Sequence, residues 1–330
     1  MVYSNILVDV FNLYYRVRGG ALKNDAITVA NHVIDFIEND ISKYQDKSKS
    51  MYLLFDPIPK KDLGISSSFK YQTTRQKINK DYKANRYKNS QADLEVIELV
   101  RKYFSHRGEK YIEVISDMYE ADDFVESLVK ELTTINKRAM IALYTTDEDW
   151  CRYLSDKVEM INGTFSEPFT RDKFYEKYQF YPTICSVVFF KALYGDPSDN
   201  ITGALMQKKL KKYPLAKQLG FEFIKEISNK PDEKVDDILK RIKGYNFKTL
   251  KEDERKTEEV KFFFSVFCTD HKFSFDDLLL QNVKIIRSRC DNYSPYMNVK
   301  EPDEKYNDFI EKILNRKKEK VKFRFGGLKG

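Results

Sequence analysis

Four times along this chain a short apolar run is closed, or followed within a few residues, by carboxylates, and that repetition leaves few folds open. Ile6-Leu7-Val8 ends in Asp9, and Met51 to Phe55 ends in Asp56. Tyr111 to Ile115 leads into Tyr119-Glu120-Ala121-Asp122-Asp123, and Ala139 to Tyr144 leads through two threonines to Asp147-Glu148-Asp149. Apolar runs this short and this continuous are strands buried on both faces, as in a parallel sheet. Between the first two, Val29, Val33, Ile34, Ile37 and Ile41 fall close to helical spacing over Ala26 to Ile41, which completes a βαβ unit. Val158 to Ile161 predicts a fifth strand, and the acidic knot opens a helix through Phe124, Leu128, Val129 and Leu132. The alternation predicts an α/β chain with a doubly wound parallel sheet.

Open parallel sheets bind ligands outside the carboxyl ends of their strands. Asp9, Asp56, Glu120, Asp122, Asp123 and Asp147 are therefore gathered on one edge. If strand geometry persists past Tyr144, Asp147 and Asp149 point the same way. Glu120 and Asp123 lie one helical turn apart at a helix N-terminus. Any one aspartate at a strand end is also an ordinary turn former or helix cap, so it is the coincidence of several that carries the argument. Clustered carboxylates without cysteine or histidine select hard divalent cations such as Mg²⁺ or Mn²⁺. Their number suits two ions about 4 Å apart, the arrangement of phosphodiester cleavage.

The net charge of +7, with a third of the 330 residues charged, suits a polyanionic partner. The basic residues are grouped. Lys70, Arg75, Lys77, Lys80, Lys83, Arg86 and Lys88 interleave with Tyr71, Tyr82 and Tyr87 in an insertion that starts near Lys60, and Leu94, Ile97 and Tyr103 mark a helix that returns to the core. Cations with interleaved rings are what a single-strand groove needs, although a solvated helix face has the same composition. The four cysteines, Cys151, Cys185, Cys268 and Cys290, show no CxxC spacing, which argues against zinc or a disulfide framework. No basic-then-apolar leader and no run long enough to span a bilayer is present, so a cytoplasmic location, with no membrane partner, is expected. After Gly163 the pattern turns helical, interrupted by Gly195-Asp196-Pro197-Ser198-Asp199-Asn200-Ile201 and a lysine cluster, Lys208, Lys209, Lys211 and Lys212.

In their order and spacing, Leu7-Val8-Asp9, Phe55-Asp56, Asp81-Tyr82-Lys83-Ala84-Asn85-Arg86, Glu120-Ala121-Asp122-Asp123, Thr146-Asp147-Glu148-Asp149 and Gly195 to Ile201 resemble the 5′-nuclease, or flap endonuclease, family and its stand-alone phage members such as phage ribonuclease H. The resemblance covers Asp9 to about Gly203. It implies a PIN-like nuclease core over residues 1–165 with a helical arch at about 60–110. A mainly helical, helix–three-turn–helix-like duplex-binding region at 166–310 and a basic tail at 311–330 would follow. It implies that Asp9, Asp56, Glu120 and Asp122 hold a first Mg²⁺ with Asp123 beside them, and that Asp147, Asp149 and Asp196 or Asp199 hold a second, with Mn²⁺ able to substitute. Lys83 and Arg86 would contact the scissile phosphate alongside the catalytic Asp122 and Asp147. Arg75, Lys77, Lys80 and Tyr82, and the cluster Lys208 to Lys212, would bind nucleic acid; the family's glycine-rich hairpin after the DNI element is missing here. The implied activity is Mg²⁺-dependent 5′-3′ exonuclease and flap endonuclease action on DNA and RNA–DNA hybrids during phage-like replication, by a monomer. Branched or nicked duplexes with a 5′ single strand are the expected substrates. A sliding clamp or single-strand-binding protein is a candidate partner for Phe323-Arg324-Phe325. Two alternatives stay open: an RNA-degrading PIN-like nuclease, and a catalytically silent DNA-junction-binding protein.

Overall fold

In a computed structural model of the chain, residues 2–18, 25–47, 49–57, 73–83, 91–116, 118–161, 167–205, 214–230, 234, 237–238 and 275–287 are described. Five parallel strands form the sheet: β1 (Asn5–Asp9), β2 (Met51–Leu54), β3 (Tyr111–Val114), β4 (Ile141–Tyr144) and β5 (Val158–Ile161), in the order β3-β2-β1-β4-β5. The order reverses beside β1, and the crevice at such a switch point is where open α/β sheets place their ligands. Register pairs Asp9 with Leu54 of β2, and Val8 with Tyr144 of β4, so the strands end level.

Side chains along each strand alternate between two cores. Ile6, Val8, Met51, Leu53, Ala142 and Tyr144 pack under α1 (Val10–Arg18), α2 (Ala26–Asp35) and a later helix, Gln91–Ser105. Leu7, Leu54, Ile141 and Leu143 meet the opposite layer. With both faces covered, continuous apolar strands are required. The expected helix over 26–41 is α-helical to Asp35 and then widens into a π-helix, Phe36–Ile41. Helix α1, which starts at Val10 immediately after the first strand, was not legible in the periodicity. A short helix, α3 (Thr74–Ile78), precedes α4 (Gln91–Ser105), whose Val96, Ile97, Val100 and Tyr103 are buried as a returning core helix requires. Beyond β3 lie α5 (Asp122–Ile135), α6 (Arg171–Tyr178) and α7 (Ile184–Tyr194). Further on are the helices Pro214–Ser228 and Phe275–Ile286. No helix among the described residues is long and apolar enough to cross a membrane. Cys151 and Cys185 are buried free thiols.

The helical half is not purely helical. Directly after α7, Gly195-Asp196 pairs antiparallel with Ile201-Thr202, a two-stranded hairpin around a 3-10 turn, Pro197–Asp199. Gly195 adopts φ +88°, open to glycine and strained for other residues. A Cβ on Gly203 would lie 2.6 Å from the Leu193 carbonyl oxygen and nearer still to the backbone of Tyr194 and Gly195. These two glycines let the hairpin lie flush on the end of α7, and Asn282 fixes it by donating to the carbonyls of Ala192 (3.2 Å) and Thr202 (2.7 Å). Gly203→Ala is expected to destabilise the chain by about 1–3 kcal/mol through overpacking. Urea denaturation checks this, and an unchanged midpoint would show that the hairpin yields freely.

Candidate metal and phosphodiester site

Each strand end delivers its carboxylate by a local device. Asp9 ends β1 almost fully buried; its Oδ1 accepts from the Asn12 amide at 3.0 Å and its Oδ2 from Thr145 Oγ1 at 3.1 Å. Asn12 in turn accepts from the amide and hydroxyl of Thr146, tying the ends of β1 and β4 together. Asp56 accepts from the Ala121 amide at 2.9 Å, which draws the start of α5 to the end of β2. Asp147 does not continue the strand: it caps a 3-10 turn, Glu148–Tyr153, accepting from the Asp149 amide at 2.9 Å. That corrects the expectation that extended geometry would align Asp147 with Asp149; the chain turns because an aspartate with extended φ,ψ captures the amide two residues on.

The acidic knot divides by function. Asp123 faces inward, its Oδ2 accepting from the Glu120 amide (3.0 Å) and its Oδ1 from Arg75 Nη2 (2.7 Å) and Nε (3.2 Å). Asp122 accepts from the indole of Trp150 at 2.6 Å on one oxygen and from Arg75 Nη1 at 3.3 Å on the other. Glu120 Oε2 lies 2.6 Å from Lys83 Nζ and 3.2 Å from the Tyr82 hydroxyl. Arg75 and Tyr82 were expected to reach nucleic acid. Both are instead 1% exposed, the guanidinium committed to carboxylates and the ring presenting no free face for a base. The Tyr82 hydroxyl accepts from Arg75 Nη1 at 2.9 Å, so its one proton goes either to Glu120 or to Asp199 Oδ2, 3.1 Å away.

The hairpin brings the remaining acids. Oxygens of Asp149, Asp196 and Asp199 lie within 4.8 Å of one another, a set able to hold a metal ion. The 3-10 turn from Asp196 to Asn200 docks on the basic segment: the Lys83 amide donates to the Asp199 carbonyl at 3.0 Å and Asn200 Nδ2 to that of Asp81 at 2.8 Å. Lys191, from α7, stands 2.7 Å from Asp196 Oδ2 and also contacts Asp149. This lysine was missed in the sequence, where its signal was to be the single charge in the apolar helix Ile184–Tyr194, five residues before Asp196. Trp150, the only tryptophan, was also missed as a donor to the site. Lys77 and Lys80 are exposed on the segment that carries Lys83. Arg86, Lys208, Lys209, Lys211, Lys212 and the tail lie outside the described residues.

The acids do not titrate alike. Burial opposes the charge of Asp122, but the Arg75 guanidinium, Lys83 and the Trp150 N–H outweigh it and hold its carboxyl well below the usual range. For Glu120, burial is likewise overcome by Lys83 and Arg75. Burial pushes Asp56 up to about 6, with Lys83 opposing and Glu120 and Asp122 adding to it. Burial, followed by the Asp122 charge, pushes Asp147 up to about 6 as well. Asp9 is raised by burial and by Asp122 and Asp56. Among the described residues the carboxylates outnumber the cations within ion-pair distance, Arg75, Lys83 and Lys191. A hard divalent cation fits this donor set.

Residues 4–179 match the family described as 5′-3′ exonuclease, N-terminal resolvase-like domain. A 5′-3′ exonuclease of Buchnera aphidicola subsp. Schizaphis graminum is 29% identical over 167 residues, covering 51% of this chain and 52% of that protein. One from Mycoplasma pneumoniae is 29% identical over 160 residues, 47% of this chain and 53% of that protein. The chain spans about half the length of the curated relatives it matches. Among solved structures, the T5 5′-exonuclease with bound zinc superposes with a TM-score of 0.55 at 18% identity over 94% of this chain and 98% of that one. The bacteriophage T5 flap endonuclease in a pseudo-enzyme-product complex with DNA and metal ions gives 0.56 at 18% identity over the same shares, 94% and 98%. At such identity the likeness is one of fold.

Two tests follow from the charges. Arg75→Met leaves Asp123 and Asp122 buried with their principal cation gone, and a loss of about 3–5 kcal/mol in urea unfolding is expected; a loss within about 1 kcal/mol would mean the carboxylates simply take up protons. For Asp147, raised from 3.8 to about 6, the folded chain binds the extra proton, so stability from this group falls as pH rises through that window and the full penalty stands above it. Asp147→Asn keeps an acceptor for the Asp149 amide and removes the penalty, on the order of 1–3 kcal/mol at pH 7. Melts in chelator are expected to show variant and wild type alike near pH 4 and the variant more stable at pH 7. A gap that narrows with rising pH would contradict the assignment.

Proposed function

Because the chain belongs to the 5′-3′ exonuclease family through its N-terminal resolvase-like domain, we propose that it is a Mg²⁺-dependent, structure-specific 5′ nuclease. It hydrolyses phosphodiesters near the 5′ end of flaps, nicks and RNA primers annealed to DNA, leaving 5′-phosphates. The observation that carries this reading is the meeting of two carboxylate sets at the switch point of the sheet, with Lys83 and Tyr82 reaching both. Asp9, Asp56, Glu120 and Asp122 are the set for one ion, and Asp147, Asp149, Asp196 and Asp199 the set for the other. Asp123 serves the first set indirectly, by holding Arg75 and the Glu120 amide. When bound, divalent ions there supply Lewis acidity to the phosphodiester and increase the acidity of the attacking water.

The chain's own groups do the positioning. Lys83, partly exposed beside Glu120, is the cation placed to meet the scissile phosphate and the charge that develops on it. Lys77 and Lys80, exposed on the same segment, serve the polyanion before the cut. Structures of DNA-bound phage T5 flap endonuclease with metal ions support a DNA substrate for the same fold. Removal of primers and flaps is the replication task that suits such a specificity.

The test is a time course with 5′- and 3′-labelled flap, nicked and RNA-primed duplexes in Mg²⁺, with chelator as control. Asp122→Asn and Asp147→Asn are expected to abolish cutting while anisotropy shows binding within a few-fold of wild type, since these acids serve metals more than DNA. Lys83→Ala is expected to slow cleavage by about 10²–10³-fold with a smaller effect on affinity. Chelator-resistant cleavage, or near-normal turnover in both aspartate variants, would remove the two-ion reading. Preference for plain single-stranded RNA would replace it with an RNA-degrading one.

A further inference from the structure

The two carboxylate sets differ in one respect that bears on how they load. In the set of Asp9, Asp56, Glu120 and Asp122, Lys83 and Arg75 both stand at Glu120 Oε2 and Arg75 also reaches Asp122, while Asp9 and Asp56 take their hydrogen bonds from Asn12, Thr145 and Ala121 and, among the described residues, meet no cation at ion-pair distance. In the set of Asp147, Asp149, Asp196 and Asp199, the Lys191 ammonium contacts two of the four acids at once, Asp149 Oδ1 and Asp196 Oδ2. Those are members of the group whose oxygens converge to within 4.8 Å. The side chain is 16% exposed, so it stands at the mouth of the set rather than sealed behind it.

A Mg²⁺ or Mn²⁺ ion binds carboxylate oxygen at about 2.0–2.1 Å, with near-octahedral demands. An ammonium nitrogen 2.7 Å from Asp196 Oδ2 and in contact with Asp149 occupies space between two of the same carboxylates. Two cations cannot share it, because both the volume and the charge repulsion forbid it. The lysine stem has four rotatable carbons and a route to solvent, so it can withdraw without moving α7.

We propose that Lys191 is an exchangeable cation that neutralises the second carboxylate set in the metal-free protein and is displaced when the second divalent ion binds. Loading is then ordered: the first set takes its ion through Asp9 and Asp56, whose oxygens accept from neutral donors, and the second takes one only when the ion concentration is high enough to displace the ammonium. The nuclease is held inactive when divalent ions are scarce, while its folded state is spared an uncompensated acidic cluster. The inference rests on the two-ion reading above and adds to it an order of binding and a residue that sets it.

The test uses the full chain and Mn²⁺, without nucleic acid. Calorimetric titration of wild type is expected to show a tight and a weak class of ion. In Lys191→Met the weak class tightens by about tenfold or more, the scale on which one opposed charge shifts a site, while the tight class stays within about twofold. Acetylation of wild-type Lys191 by a water-soluble ester, followed by mass spectrometry, is expected to accelerate severalfold at saturating Mn²⁺, as the amine leaves its ion pairs. If Lys191→Met does not fold, Lys191→Gln replaces it, and the acetylation arm needs no variant. Two classes with equal affinities in both proteins, or Lys191 reactivity unchanged at saturation, would overturn the exchange and leave the two-ion reading standing. One class of ion in both proteins would overturn that reading and the exchange with it.

Discussion

The guanidinium of Arg75 is the contact on which the rest of the site depends. Carboxylates delivered by adjacent parallel strands repel one another, and burial makes the repulsion stronger. Arg75 reaches Asp122, Asp123 and Glu120 together from a short helix outside the sheet. In doing so it draws residues 73–83 onto the carboxyl edge of the sheet, where a capping box at Thr73 and the Thr74 amide on the Met118 carbonyl complete the docking. The segment then extends to Tyr82 and Lys83, which join the strand-end acids to the hairpin after α7. One buried cation thus fixes the geometry of the first acid set and the position of Lys83.

The same arrangement divides stability from function. Asp122 and Glu120 are compensated by Arg75 and Lys83, whereas Asp9, Asp56, Asp147 and, through its burial despite Arg75, Asp123 are held with their protons bound more tightly than in water. A folded state that carries such groups gives up stability for a place where a divalent ion is strongly favoured. The hairpin shows the same economy in its backbone, with Gly195 and Gly203 permitting an approach no larger residue allows.

How much of this was legible follows from the kind of signal each part leaves. The strands could be read because burial on both faces demands continuous apolar runs, and the acids at their ends because the sheet gathers strand ends without help from the rest of the chain. Helix α1 could not, since Val10-Phe11-Asn12-Leu13-Tyr14-Tyr15-Arg16 follows the apolar strand without a break and its cap, Asp9, which accepts from the Asn12 amide, is the same residue that was read as a strand-end acid. Arg75 sits in a stretch so rich in lysine and arginine that composition assigns it to the surface, and only the tertiary fold selects it for burial. Tyr82 was read as a ring that stacks, when its hydroxyl is what the structure uses. Asp147 and Asp149 were placed together for the wrong local reason, a strand instead of a 3-10 turn. Lys191 left the faintest signal, one charge in an apolar helix, because its partners lie on segments whose approach no local pattern encodes.

The claim that two carboxylate sets meet to form one ion-binding centre is tested most directly by anomalous scattering from Mn²⁺ in crystals of the intact chain. Two peaks are expected, one among Asp9, Asp56, Glu120 and Asp122 and one among Asp147, Asp149, Asp196 and Asp199, separated by about 4 Å or somewhat more. A single peak at saturating Mn²⁺, or peaks away from these acids, would contradict the account.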